Sequence, residues 1–156
     1  MFQHPKDTLQ TVNLQELQRT FAVNTFTPLL LTQALLPNIL ASQSAKIAIV
    51  SSRVGKLRND SSGGAYSYRA SKAAVNGVFK SMAVDLKEKH VPVILLHPGI
   101  VKTTLGLRHR DDVGVPGAVE LEEAANGLWK VLKSKGLDST RMFFHRSREE
   151  FLRRRH

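Results

Sequence analysis

Two short uninterrupted apolar runs, Lys46-Ile47-Ala48-Ile49-Val50 and Val91 to Leu96, limit what this chain can fold into. A strand with one wet face alternates apolar and polar side chains, whereas a strand covered on both faces is apolar throughout. The first run ends in Ser51-Ser52 and the second in His97-Pro98-Gly99. Around them the period is helical. Asn13-Leu14-Gln15-Glu16 reads as an N-cap with a carboxylate three residues on, and Leu14, Leu17 and Phe21 then fall on one helical face. The pattern predicts a long helix from about Asn13 to Leu40, a second from about Ala65 to Lys89 and a third from about Glu120 to Ser134. Arg141-Met142-Phe143-Phe144 reads as a last short strand. Helices alternating with fully buried strands predict an α/β fold: a parallel sheet covered on both sides, with right-handed crossovers.

About three strands are few for such a sheet. A doubly wound nucleotide-binding domain normally holds two βαβαβ halves, the first opened by a glycine-rich phosphate loop. No G-x-G-x-x-G pattern follows any strand, and the paired glycines Gly63-Gly64 precede the second helix. The expectation is one partial domain, the C-terminal half of such a sheet with its covering helices. The 156 residues, 42% hydrophobic and 23% charged, suit a single globular core. The absence of cysteine excludes disulfides, thiolate nucleophiles and Cys-ligated metals. The polar start Met1 to Asp7, and a Leu-rich stretch from Leu29 to Leu40 too short and interrupted to span a bilayer, make the cytoplasm the expected compartment. Twenty-three Lys and Arg against thirteen Asp and Glu give +10, which favours anionic neighbours. Much of that excess is late, at Arg141, Arg146, Arg148, Arg153, Arg154 and Arg155, where it reads more as a solvated basic tail over about 145–156 than as a binding face. Nucleic acid has only the charge in its favour, since no aromatic interleaving accompanies it.

Tyr68-Arg69-Ala70-Ser71-Lys72 puts a phenol and an ammonium four apart, on one face of a helix. A tyrosine with a pKa of about 10 exchanges protons poorly at neutral pH, and a cation beside it favours the phenolate. The pair reads either as a proton donor with its tuner or as a plain surface pair. Ser52, at the carboxyl end of the first strand, either faces a ligand site or caps a turn. Pro28 has no N–H for the carbonyl of Asn24, four residues earlier. Either the helix kinks there, or the freed carbonyl takes a water that leads toward Lys72.

The order of these residues carries more than each alone. Asn24, then Ser51-Ser52-Arg53-Val54-Gly55, then Tyr68-x-x-x-Lys72, then Pro98-Gly99-Ile100-Val101-Lys102-Thr103, each after the fitting element, resembles the short-chain dehydrogenase/reductase family. Gly63 to Ala74 and Leu95-Leu96-His97-Pro98-Gly99 resemble its C-factor-like subgroup. The resemblance runs from about Val12 to Phe144. It implies a Rossmann-type sheet and an NAD- or NADP-dependent hydride transfer to or from the carbon of a small carbonyl or alcohol substrate. It makes Asn24, Ser52, Tyr68 and Lys72 the catalytic set: Tyr68 as acid/base, Ser52 orienting the substrate oxygen, Lys72 lowering the Tyr68 pKa and holding the nicotinamide ribose, and Asn24 supporting a relay water. With Tyr68 and Lys72, the residues Pro98, Gly99 and Thr103 would form the cofactor-binding set. It further implies a homodimer through helices 13–40 and 65–89. The family's phosphate loop, its residue selecting NAD or NADP and its Asn-Asn-Ala-Gly segment have no counterpart in these residues. The isolated chain is therefore expected to be truncated, to bind either dinucleotide at millimolar strength or not detectably, and to turn over weakly. The alternative is a non-catalytic relative that acts by binding or signalling. The loop from Thr104 to Val119, with Arg108, His109 and Arg110, is expected over the site, its basic character favouring an anionic group nearby.

Overall fold

The computed structural model describes residues 7–55, 63–103, 116–147 and 150. β1 (Ile47–Val50), β2 (Val93–His97) and β5 (Phe143–His145) form a parallel sheet in the order β1-β2-β5. Ile47 lies opposite Val93, and His97 opposite His145. Helix α4 (Tyr66–Asp85) joins β1 to β2, and α5 (Leu121–Ser134) precedes β5. A second parallel pair, β3 (Ile100–Val101) with β4 (Ala118–Val119), follows the Pro98-Gly99 turn. The expected half of a doubly wound sheet is present, with every strand bound within two residues of its sequence reading.

Successive residues of β2 face opposite sides, and both sides are dry. Val93 and Leu95 pack with Val75, Phe79, Ala83 and Leu86 of the α4 layer, with Ile47 and Phe143 in the same cluster. Ile94 and Leu96 pack with Val131 of α5 and with Phe144. The first strand departs from expectation. Ala48 and Val50 are exposed, because β1 is the edge of the sheet among the described residues and no element covers its second face. Lys46, just before it, reaches across to α5 and donates from Nζ to the carbonyls of Leu132 (3.2 Å) and Lys135 (2.6 Å), acceptors that a helix C-terminus leaves unpaired.

The long helix expected from Asn13 to Leu40 is not one α-helix. It is α1 (Leu14–Phe21), a π-helical turn (Ala22–Phe26), α2 (Thr27–Ala34) and α3 (Leu36–Ala41). Asn13 caps α1 as its sequence predicts, accepting from the Glu16 N–H at 2.9 Å. Of the expected apolar stripe Leu17 and Phe21 are half-buried while Leu14 is 68% exposed, and the residue α1 buries fully is Thr20, 1% exposed. In the π-turn the Thr27 N–H reaches five residues back to the Ala22 carbonyl. Pro28, one residue on, starts α2 where its missing N–H costs least. Leu35 ends α2 just before Leu36-Pro37 opens α3.

Helix α4 begins without a cap of its own. Ala65 takes a left-handed conformation (φ +51°) and offers no side-chain acceptor. Asp7, 3% exposed, supplies both missing acceptors: its carbonyl takes the Ala65 N–H at 2.7 Å and its carboxylate takes the Ser67 N–H at 2.8 Å. A carboxylate suits the positive end of a helix, and this one fixes the first turn of the helix that carries Tyr68.

Candidate active site

Tyr68 and Lys72 stand one turn apart on α4, and Lys72 Nζ lies 5.8 Å from the centre of the Tyr68 ring. The same ammonium donates to the Val50 carbonyl at the carboxyl end of β1, at 3.2 Å. Ser52, two residues further, hydrogen-bonds the Tyr68 side chain. Gly55 explains the approach. A Cβ there would lie 2.7 Å from the Lys72 carbonyl carbon and 2.9 Å from the Ala73 nitrogen, so only glycine lets the turn Arg53–Gly55 rest on the α4 backbone. Ser51, the next residue back, donates to Asn76 Oδ1 at 2.6 Å and ties the strand end to the same helix.

Asn24 reaches this cluster by a direct side-chain bond. Its Nδ2 donates to Ser71 Oγ at 3.0 Å, and Ser71 Oγ donates to the Tyr68 carbonyl at 2.8 Å. Thr25 Oγ1 donates to the Ser71 carbonyl at 3.0 Å. The π-turn is thus fastened to α4 between Tyr68 and Lys72. Ser71, fully buried, is the hinge of that contact; in the sequence it reads only as a small residue permitting close packing.

The electrostatics differ from expectation at one point. Burial raises the Tyr68 pKa above its usual value, and the Ser52 hydrogen bond offsets this in part. The Lys72 ammonium lies 5.8 Å from the centre of the Tyr68 ring and is held by the Val50 carbonyl, and the net shift of the phenol is upward, not downward. Burial lowers the Lys72 pKa as well. In this state the site holds a protonated phenol joined to a serine hydroxyl, with a partly desolvated ammonium a few ångströms away. Such a group can donate a proton to an oxygen bound between Tyr68 and Ser52.

Pro98 and Gly99 leave β2 at the same carboxyl edge, with Gly99 left-handed (φ +81°). Thr103 follows β3, its N–H donating to the Val101 carbonyl at 2.8 Å. This segment and the Tyr68–Lys72 pair lie at the same carboxyl edge of the sheet. Behind it His97 is buried. Desolvation, then the charges of His145 and Arg53, push its pKa down to about 4, against an upward pull from a Ser51 backbone hydrogen bond and with a last, smallest lowering from Arg146. Arg108, His109 and Arg110 lie outside the described residues, as does most of the tail.

A parallel sheet covered by helices on both faces, with a Ser, Tyr and Lys gathered at its carboxyl edge, defines an α/β protein with a Rossmann-type sheet. The chain belongs to the short-chain dehydrogenase family, whose profile matches residues 3–114. It is 34% identical to C-signal of Myxococcus xanthus over 87% of this chain and 78% of that protein. It is 38% identical to 1-hydroxy-2-glutathionyl-2-methyl-3-butene dehydrogenase of Rhodococcus sp. (strain AD45), over 89% of this chain and 59% of that one. Among solved structures it is similar to the NADPH-bound carbonyl reductase from chicken fatty liver, with a TM-score of 0.85 and 28% identity over 94% of this chain and 60% of that one. Against these two oxidoreductases the chain spans about three fifths of their length.

Proposed function

We propose that this chain is an NAD(P)-dependent oxidoreductase that moves a hydride to or from the carbon of a small carbonyl or alcohol substrate. The observation that carries the reading is the Tyr68 phenol bonded to Ser52, with Lys72 Nζ 5.8 Å from its ring. The chicken reductase binds NADPH, which supports that class of cofactor here. The residues present fit its nicotinamide end. Lys72 presents a partly desolvated ammonium beside Tyr68, and the left-handed Gly99 turns the chain out of β2 at the same edge of the sheet. The cofactor would supply or accept the hydride. Tyr68 donates the proton to the substrate oxygen or takes it back, and Ser52 orients that oxygen. Lys72 carries positive charge to the phenol once a ligand draws it from Val50, and Asn24 supports the route by which a proton reaches Lys72. Pro98, Gly99 and Thr103 hold the nicotinamide end.

The described residues include no helix long and apolar enough to cross a membrane, and a cytoplasmic homodimer completes the reading. Val23, Phe26, Leu30 and Leu31 lie 43% to 58% exposed along the π-turn and α2, and Val84 lies 55% exposed on α4, which leaves apolar area for a second copy. The resemblance to C-signal supports a second reading, in which the chain acts by binding and turns nothing over.

The test is oxidation of NADPH at millimolar concentration with a panel of small aldehydes and ketones. Tyr68→Phe is expected to lower turnover by about 10²-fold or more, the usual share of general acid catalysis. Equal turnover in wild type and variant overturns the Tyr68 role. No turnover in wild type, with the fold intact, favours the second reading.

A further inference from the structure

Arg146, the residue after β5, is held on every side by main chain and by α5. Its N–H donates to the His97 carbonyl at 3.0 Å. Its guanidinium, 16% exposed at the side chain, donates from Nη1 to the Pro98 carbonyl at 3.1 Å and lies 3.0 Å from His145 Nε2. A guanidinium has no acceptor, so that ring nitrogen receives. Nε lies 3.7 Å from Glu123 on α5. Two glycines make room. A Cβ at Gly99 would collide with Arg146 Nη1, and one at Gly127 would lie 2.9 Å from Arg146 Cβ. One side chain therefore binds the end of β5, the exit of β2 and the first half of α5 into one block.

We infer that Arg146 is a positioning residue, whose guanidinium clamps the Pro98-Gly99 turn and thereby sets the backbone of residues 99–101 to receive the nicotinamide end of the cofactor. The inference rests on the oxidoreductase reading above. Gly99 is left-handed at φ +81°, a conformation with close alternatives for a residue without a side chain. A planar donor seated against that turn and anchored by Glu123 selects one of them. A lysine could reach the Pro98 carbonyl as a point charge but could not also bridge to His145 and Glu123.

The test is an amide NMR titration of the chain with NADPH, following residues 99–101 and Lys72 separately. In wild type both groups are expected to shift. In Arg146→Met the shifts at 99–101 should shrink and apparent affinity fall about tenfold, the scale of one charged hydrogen bond, while Lys72 still responds at saturation. Arg146→Lys should recover part of the affinity, and it keeps the inference testable should the methionine variant unfold. Shifts at 99–101 and affinity unchanged in either folded variant overturn the clamp and leave the oxidoreductase reading standing. A wild type in which neither Lys72 nor residues 99–101 respond overturns both.

Discussion

His97 is held neutral by its burial and by the charges around it. It is buried at the end of β2, with the imidazole of His145 5.6 Å away, Arg53 and Arg146 nearby, and Glu123 beside Arg146 as the opposing charge. Its pKa of about 4 when folded, against 6.5 unfolded, fixes the direction of a pH effect. Above 6.5 the ring is neutral in both states. Between 6.5 and about 4 the unfolded chain takes up a proton that the folded chain refuses, so stability falls as pH falls through that window. We expect a loss of about 2 kcal/mol, discounted for solvent near the edge of the site. Urea unfolding at several pH values checks this, and His97→Asn should flatten the slope. An equally steep slope in His97→Asn would assign the acid sensitivity to another group.

Among the elements, the start of α4 depends on a residue far off in sequence. Asp7→Ala should cost about 1–2 kcal/mol, as a lost N-cap does, whereas Asp7→Asn keeps an acceptor for the Ser67 N–H and should retain most of it. Chemical denaturation of the two variants decides, and an asparagine no better than alanine would refute the cap. The sequence could not show this contact, because cap signals are local and Ala65 gives none. What it did show was periodic or adjacent: the apolar runs of the strands, the Asn13 cap, and a Tyr and Lys one turn apart. The π-turn was half legible, since Pro28 marked the place but not the winding. Arg146 was invisible as a clamp, because its role depends on β5 lying beside β2, and in the chain it reads as one more basic residue of a charged tail.

For the whole molecule, the outer faces of α2 and α4 argue association. Light scattering at micromolar concentration should give the mass of two chains, and Leu30→Glu with Leu31→Glu, both exposed now, should yield monomers without loss of helix. A monodisperse wild-type monomer would overturn the dimer. The π-turn bears on how these faces come to point where they do. In an α-helix, residues five apart are separated by about 140° around the axis, so two such side chains cannot both face one neighbour. Thr20 and Thr25 are five apart, both are buried, and α1 and the π-turn both pack on α4. The wide turn supplies the missing rotation and brings them into line. In angular terms it is a phase shifter: everything after Phe26 is offset by about one residue, roughly 100°, from where a plain helix would carry it. Deleting one residue here would mend the helix and leave the exposed leucines of α2 facing as they do now, whereas winding the same residues as a plain helix would turn them toward a different side of the molecule.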